Sequence, residues 1–178
     1  MNRLAIRRRS LLGAGLAAAA AGTTIALPGL KGGGPWRFFT PDEAETVDAI
    51  CEQLIPADRD PGARQARVVN YIDIQLTRHL KRYQRLYRQG IASVDTASRR
   101  RFSKPFRDLP AGPQAEVLSD IERNEKAFFE LILNHTRQGF YGDPRHGGNR
   151  GMVSWKMLGL PFPQIRGRMH YEDRPKQV

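Results

Sequence analysis

The sequence predicts an all-α fold: a compact helical domain of about five helices, closed by an irregular C-terminal segment rich in Gly, Pro and aromatic residues. Three observations lead there. Apolar residues repeat at helical spacing over several stretches. Pro56, Gly90, Pro105 and the Pro110–Pro113 cluster punctuate those stretches. No alternating strand pattern of useful length occurs. A length of 178 residues without an internal repeat favours one domain. Apolar residues make up 40% and charged residues 26%, which excludes a polytopic membrane protein and wholesale disorder. A single cysteine excludes a disulfide scaffold and any four-cysteine zinc or iron–sulfur site within the chain.

Residues 1–26 read as a targeting segment. Arg8 and Arg9, followed by Leu11 and Leu12, give Arg-Arg-x-Leu-Leu, the pattern of a bacterial twin-arginine export signal. The Ala/Gly run behind it is weakly hydrophobic, and Thr24 and Ala26 are small residues placed for cleavage before Leu27. An uncleaved anchor is the competing reading, because Ser10–Leu30 is an uncharged stretch of 21 residues. Its glycines, threonines and proline make a poor permanent span. A basic tail, the third reading, leaves the alanine run unexplained. Residues 27–37 form a Gly/Pro-rich linker, and 38–178 the domain.

The chain carries 29 Lys and Arg against 18 Asp and Glu, a net +11 that by itself suggests a nucleic-acid or anionic-surface binder. The first 26 residues hold four of those arginines and no acid, so the mature charge is +7. Export places the protein away from nucleic acid.

Thr40-Pro41-Asp42-Glu43 starts the first helix, with Thr40 as cap, proline in the first turn and Glu43 completing a capping box. Ala44, Val47, Ile50, Cys51 and Leu54 repeat along it until Pro56 stops the run. Pro56–Gly62 is a turn-rich connection. The longest helix is predicted over 63–89, with Leu76, Leu80, Tyr83 and Tyr87 on one face and Arg78, Lys81, Arg82, Arg85 and Arg88 opposite. Gly90 ends it, and Ile91–Arg101 forms the next. After the prolines come helices at 114–122 and 125–140. From Gly139 onward Gly and Pro are too dense for regular structure, although aromatics are frequent.

The candidate chemistry is thin. Gly147-Gly148-Asn149 invites a phosphate-loop reading but lacks the lysine pattern, and a structural turn holding aromatic side chains explains it better. His79, His135, His146 and His170 contain no metalloprotease pair, and no haem-attachment motif is present. Cys51 sits on an apolar face as a buried thiol, with a bridge to another chain as the alternative. No nucleophile motif supports a Ser–His–Asp triad. The basic stripe fits a solvated surface, an acidic partner or lipid headgroups.

Several short motifs together resemble the gluconate 2-dehydrogenase subunit 3 family. They are Phe38-Phe39-Thr40 before an acidic helix start, Ile55-Pro56-Ala57-Asp58 leading to Gly62-Ala63, and Tyr71-Ile72-Asp73. Gly139-Phe-Tyr-Gly-Asp-Pro144, Gly147-Gly148-Asn149, Trp155 and Gly159-Leu-Pro161 complete the series in order. The resemblance implies a non-catalytic small subunit of a membrane-associated sugar or polyol dehydrogenase, with no cofactor of its own. It implies a large flavoprotein partner that holds FAD and oxidises the substrate, and commonly a multihaem cytochrome c subunit with haem c. The small subunit would supply the signal read by the twin-arginine translocase and help its partner mature and reach the periplasm, where the complex sits peripherally on the inner membrane. Phe140, Tyr141, Gly147, Gly148, Asn149, Trp155 and Phe162 are then the expected docking residues. The alternative for these aromatics is closure of the subunit's own core. A free-standing periplasmic helical enzyme and a basic membrane-surface protein remain as readings from other classes.

Overall fold

In the computed structural model, residues 36–160 are described. They form six α-helices linked by turns and four short 3₁₀ segments, and no strand occurs among the described residues. The elements are α1 (Pro41–Leu54), α2 (Val68–Leu76), α3 (Gln84–Phe102), α4 (Ala111–Asn124), α5 (Lys126–Tyr141) and α6 (Val153–Met157). The all-α prediction holds.

Helix α1 begins as its sequence dictates. Thr40 Oγ1 accepts from the Glu43 amide, and the Glu43 carboxylate accepts from the Thr40 amide at 2.8 Å. The helix packs against α2, α3, α4 and α5 and so forms the centre of the bundle. Val47, Ile50 and Cys51 from α1 meet Ile72 and Leu76 of α2, Tyr87 and Val94 of α3, Val117 of α4, and Phe128 and Ile132 of α5 in one buried cluster. Burial of each such side chain contributes roughly 1.5–3 kcal/mol before entropy is counted.

Residues 63–89 are not one helix. Ala63–Arg67 form turns, α2 ends at Leu76, and a further turn and a 3₁₀ segment (Lys81–Tyr83) precede α3. Tertiary contacts overrule the periodicity at both breaks. The Ala63 amide donates to the Ile55 carbonyl at 2.8 Å, closing the loop, and Gly62 lies so near the chain that a Cβ would be 2.5 Å from the Ala57 nitrogen. Downstream, Gln84 Nε2 donates to the Leu76 carbonyl at 2.9 Å and caps α2. The 3₁₀ spacing of three residues per turn is close enough to 3.6 that the apolar pattern passes through the break unchanged. Leu76 and Tyr87 are therefore fully buried, with Leu80 and Tyr83 half-buried, although no single helix carries them.

Gly90 does not end a helix; it lies buried inside α3, which runs on to Phe102. Helix α4 begins at Ala111, ahead of the expected residue 114, because Pro113 falls in the first turn where no amide hydrogen bond is lost. The segment after α5 is more ordered than its composition suggests. Residues Pro144–His146 and Arg150–Met152 form 3₁₀ turns, followed by α6. Left-handed residues separate these short pieces: Gly147 at φ 103°, Asn149 at 44°, Gly151 at 65° and Met152 at 58°.

Candidate docking surface

Two arrangements shape the surface, and both are built by hydrogen bonds between distant parts of the chain. The first is a clamp on the segment entering α1. Asp73 of α2 is buried, and its carboxylate accepts from three successive amides: Arg37 at 2.8 Å, Phe38 at 2.9 Å and Phe39 at 3.0 Å. Arg88 of α3 closes the other side. Its guanidinium donates to the Phe38 carbonyl at 2.7 Å, lies 4.3 Å from the centroid of the Phe38 ring, and pairs with Glu43. Three donors on one carboxylate satisfy its negative charge inside the protein. The signal in the sequence was available: Asp73 is the one acid between Asp60 and Asp95, set in an apolar helix.

The second arrangement is a hook, residues 142–160, folded back over α2 and α5. Asn149 is fully buried; its Nδ2 donates to the Gly142 carbonyl at 3.0 Å and its Oδ1 accepts from the Ser154 amide at 3.0 Å. Asn70 Nδ2 donates to the Gly147 carbonyl at 2.7 Å, and the Arg150 amide donates to the Ala66 carbonyl at 3.0 Å. Gly148 lies directly on α5, where a Cβ would be 2.1 Å from the Gly139 carbonyl oxygen. The two glycines of this run thus serve close approach within the subunit.

Those positions divide the expected docking residues. Phe140 is 1% exposed and belongs to the core, and Gly148 and Asn149 are buried, so none of the three offers contact area. Gly147 is half-buried beneath Asn70. Tyr141 and Trp155 remain at the surface and are joined, since Trp155 Nε1 donates to the Tyr141 carbonyl at 2.8 Å. Phe162 and the signal residues Arg8, Arg9, Leu11 and Leu12 lie outside the described residues. Sequence reasoning missed Leu158 and Leu160. Among the described residues the exposed large apolar side chains are Tyr141 at 46%, Leu158 at 54% and Leu160 at 45%, all on or beside the hook. The Leu160 amide donates to the Trp155 carbonyl at 2.8 Å, so Trp155 is tied to the chain on both sides of it.

The remaining candidate chemistry is buried and structural. Cys51 lies in the core 3.3 Å from Thr136 Oγ1, and burial pushes its thiol up to about 12, which removes it from bridging to another chain. His135 sits beside Tyr87, with Nδ1 3.0 Å from the phenol oxygen and the rings parallel. Burial, and secondarily the charge of Arg82, holds this imidazole down at about 4, so it is neutral and its Nδ1 shares one hydrogen bond with the Tyr87 hydroxyl. Among the described residues no three His, Cys, Asp or Glu side chains converge as metal ligands. A groove of about 470 Å³ runs between α1 and α2 beside Trp36, Arg64 and Arg67. Its acids Asp48 and Glu45 are already paired with Arg64 and Arg107.

A family model described as gluconate 2-dehydrogenase subunit 3 matches residues 41–161, which take in every helix described above and the hook. No curated protein and no solved structure matches the chain.

Proposed function

Starting from the fact that the chain belongs to the gluconate 2-dehydrogenase subunit 3 family, we propose that it is a non-catalytic accessory subunit that docks on a large FAD-bearing dehydrogenase and escorts it across the membrane. The partner folds around its flavin in the cytoplasm, binds this subunit, and both travel under the signal formed by Arg8 and Arg9. In the periplasm the partner oxidises a sugar or polyol, and a cytochrome subunit with haem c takes the electrons. The complex is held there peripherally at the inner membrane.

The observation that carries this reading is that, among the described residues, exposed large apolar side chains are confined to the hook and its edge. Leu158 and Leu160 follow Trp155 closely in the chain, and the Trp155 indole N–H is already satisfied by the Tyr141 carbonyl. Such a group can be desolvated without leaving a buried donor unpaired, which is what a hot spot requires. The backbone beneath it is held by Asn149 and Asn70, so little ordering remains to oppose binding.

Co-expression with the large subunit, followed by pull-down and fractionation, tests it. Leu158→Asp with Leu160→Asp should abolish co-purification and leave the flavoprotein in the cytoplasm, while the variant keeps its helical spectrum. Arg8→Lys with Arg9→Lys should block export but preserve the complex. Full co-purification of the double aspartate variant would sink the docking surface. Sugar oxidation by the small subunit alone would sink the non-catalytic assignment.

A further inference from the structure

We infer that Arg78, Lys81, Arg82 and Arg85 form a face that seats this chain on an anionic phospholipid surface. No acid occurs between Asp73 and Asp95, a stretch that holds four arginines and a lysine. One of the five, Arg88, is spent on Glu43 and the Phe38 carbonyl. The other four are exposed. They fall within eight consecutive positions spanning the turn, the 3₁₀ segment and the first turn of α3, while Leu76, Leu80, Tyr83 and Tyr87 turn inward.

What sets the four apart is their concentration in a stretch of chain that contains no acid. Several other surface arginines have acids beside them: Arg64 pairs with Asp48, Arg101 with Glu116 and Asp120, Arg107 with Asp42 and Glu45, and Arg145 with Asp143. Among the described residues, none of the four on this face makes an ion pair. The nearest approach is internal, where the Arg82 guanidinium lies 4.7 Å from the Tyr83 ring centroid and donates to its hydroxyl at 2.8 Å.

A lipid surface fits this face better than an acidic protein does. The face carries no exposed large apolar side chain, so it lacks the desolvated anchor that a protein interface is built around. What it offers is a field of long, unpaired cations over a half-buried tyrosine. A headgroup layer supplies many mobile anions at no fixed geometry, and clusters of about four to eight Lys or Arg are the size that such a layer retains. The inference stands apart from the docking reading, which rests on the hook.

Flotation of the full chain with vesicles of phosphatidylcholine, with and without one-third phosphatidylglycerol, tests it. The chain should bind the anionic vesicles in preference, and less as salt is raised. Changing Arg78, Lys81, Arg82 and Arg85 together to Gln should weaken that binding on the order of a hundredfold or more, at about fivefold per charge. The control removes the same charge elsewhere, with Arg59, Arg99, Arg100 and Lys104 changed to Gln, and should leave binding within a few-fold. Both variants keep the basic N-terminal residues, so that contribution cancels, and circular dichroism confirms that both stay folded. Equal losses in the two variants would reduce the effect to net charge and overturn the assignment. Absence of any preference for anionic vesicles would also overturn it, and if the four-residue variant then lost the dehydrogenase subunit in pull-downs, the face would belong to an acidic protein.

Discussion

The ring of Phe128 on α5 lies against the backbone of Gly90 on α3. A Cβ at position 90 would fall 2.2 Å from two of its ring atoms, so the absence of a side chain is what lets the two helices meet there. The same ring stands edge-on to Tyr87, with centroids 5.9 Å apart.

Gly90→Ala should therefore destabilise the domain even though alanine is the better helix former by about 1 kcal/mol. Overpacking costs of roughly 1–3 kcal/mol match or exceed that gain, so the net change should be a loss of up to about 2 kcal/mol. Urea denaturation of Gly90→Ala, Phe128→Leu and the double variant checks it. A double variant more stable than the sum of the two single losses predicts would confirm the contact; strict additivity would refute it.

Asp73→Ala should release the segment that enters α1. Three amides lose their acceptor, and the loss should be on the order of 2–4 kcal/mol, limited by hydration of the freed amides. Asp73→Asn should fall in between, since it keeps the oxygen shared by Phe38 and Phe39 and loses the one that serves Arg37. Hydrogen exchange reads this directly: the amides of Arg37, Phe38 and Phe39 should lose protection together, ahead of those in α5.

Acid should weaken the fold through His135. Its imidazole takes up a proton near 6.5 in the unfolded chain but only at about 4 in the folded one. Between those values the unfolded state binds more protons, so stability falls as pH falls from about 6.5 to 4 and this contribution is flat below. The full difference between 6.5 and about 4 corresponds to roughly 3 kcal/mol, which solvent screening reduces to on the order of 2 kcal/mol. His135→Gln, whose amide can still donate to or accept from Tyr87, should remove that slope from the pH profile of the melting temperature. A slope unchanged in the variant would assign the effect to other groups.

Cys51 should resist a thiol reagent at pH 8 in the native protein and react at the rate of global unfolding. Burial holds the thiol up at about 12, so almost no thiolate exists to attack. Fast labelling of the folded chain would contradict the buried geometry beside Thr136.

Legibility in the sequence followed the range of each interaction. The start of α1 could be read because Thr40, Pro41 and Glu43 act within one turn. The division of residues 76–87 into an apolar and a basic face could also be read, since it survives a change from α to 3₁₀ winding. The breaks in that stretch could not, because they are made by Ile55 and Gln84, which lie outside the periodic window. Gly90 misled for the same reason: local rules assign a mid-sequence glycine to a helix end, and only Phe128, 38 residues on in the chain, shows it to be a packing site. Aromatic and glycine content marked the hook as a segment distinct from the helices before it, but not which of its side chains face out. Phe140 belongs to the periodicity of α5, and Leu158 and Leu160 belong to none.

The clamp on residues 37–39 also imposes an order in time. Its two jaws, Asp73 and Arg88, are translated about 35 and 50 residues after the backbone they grip. A nascent chain displays its N-terminal segment well before either jaw has left the ribosome. Closure then requires α2 and α3 to have come together, so a gripped Phe38 registers that half the bundle has assembled.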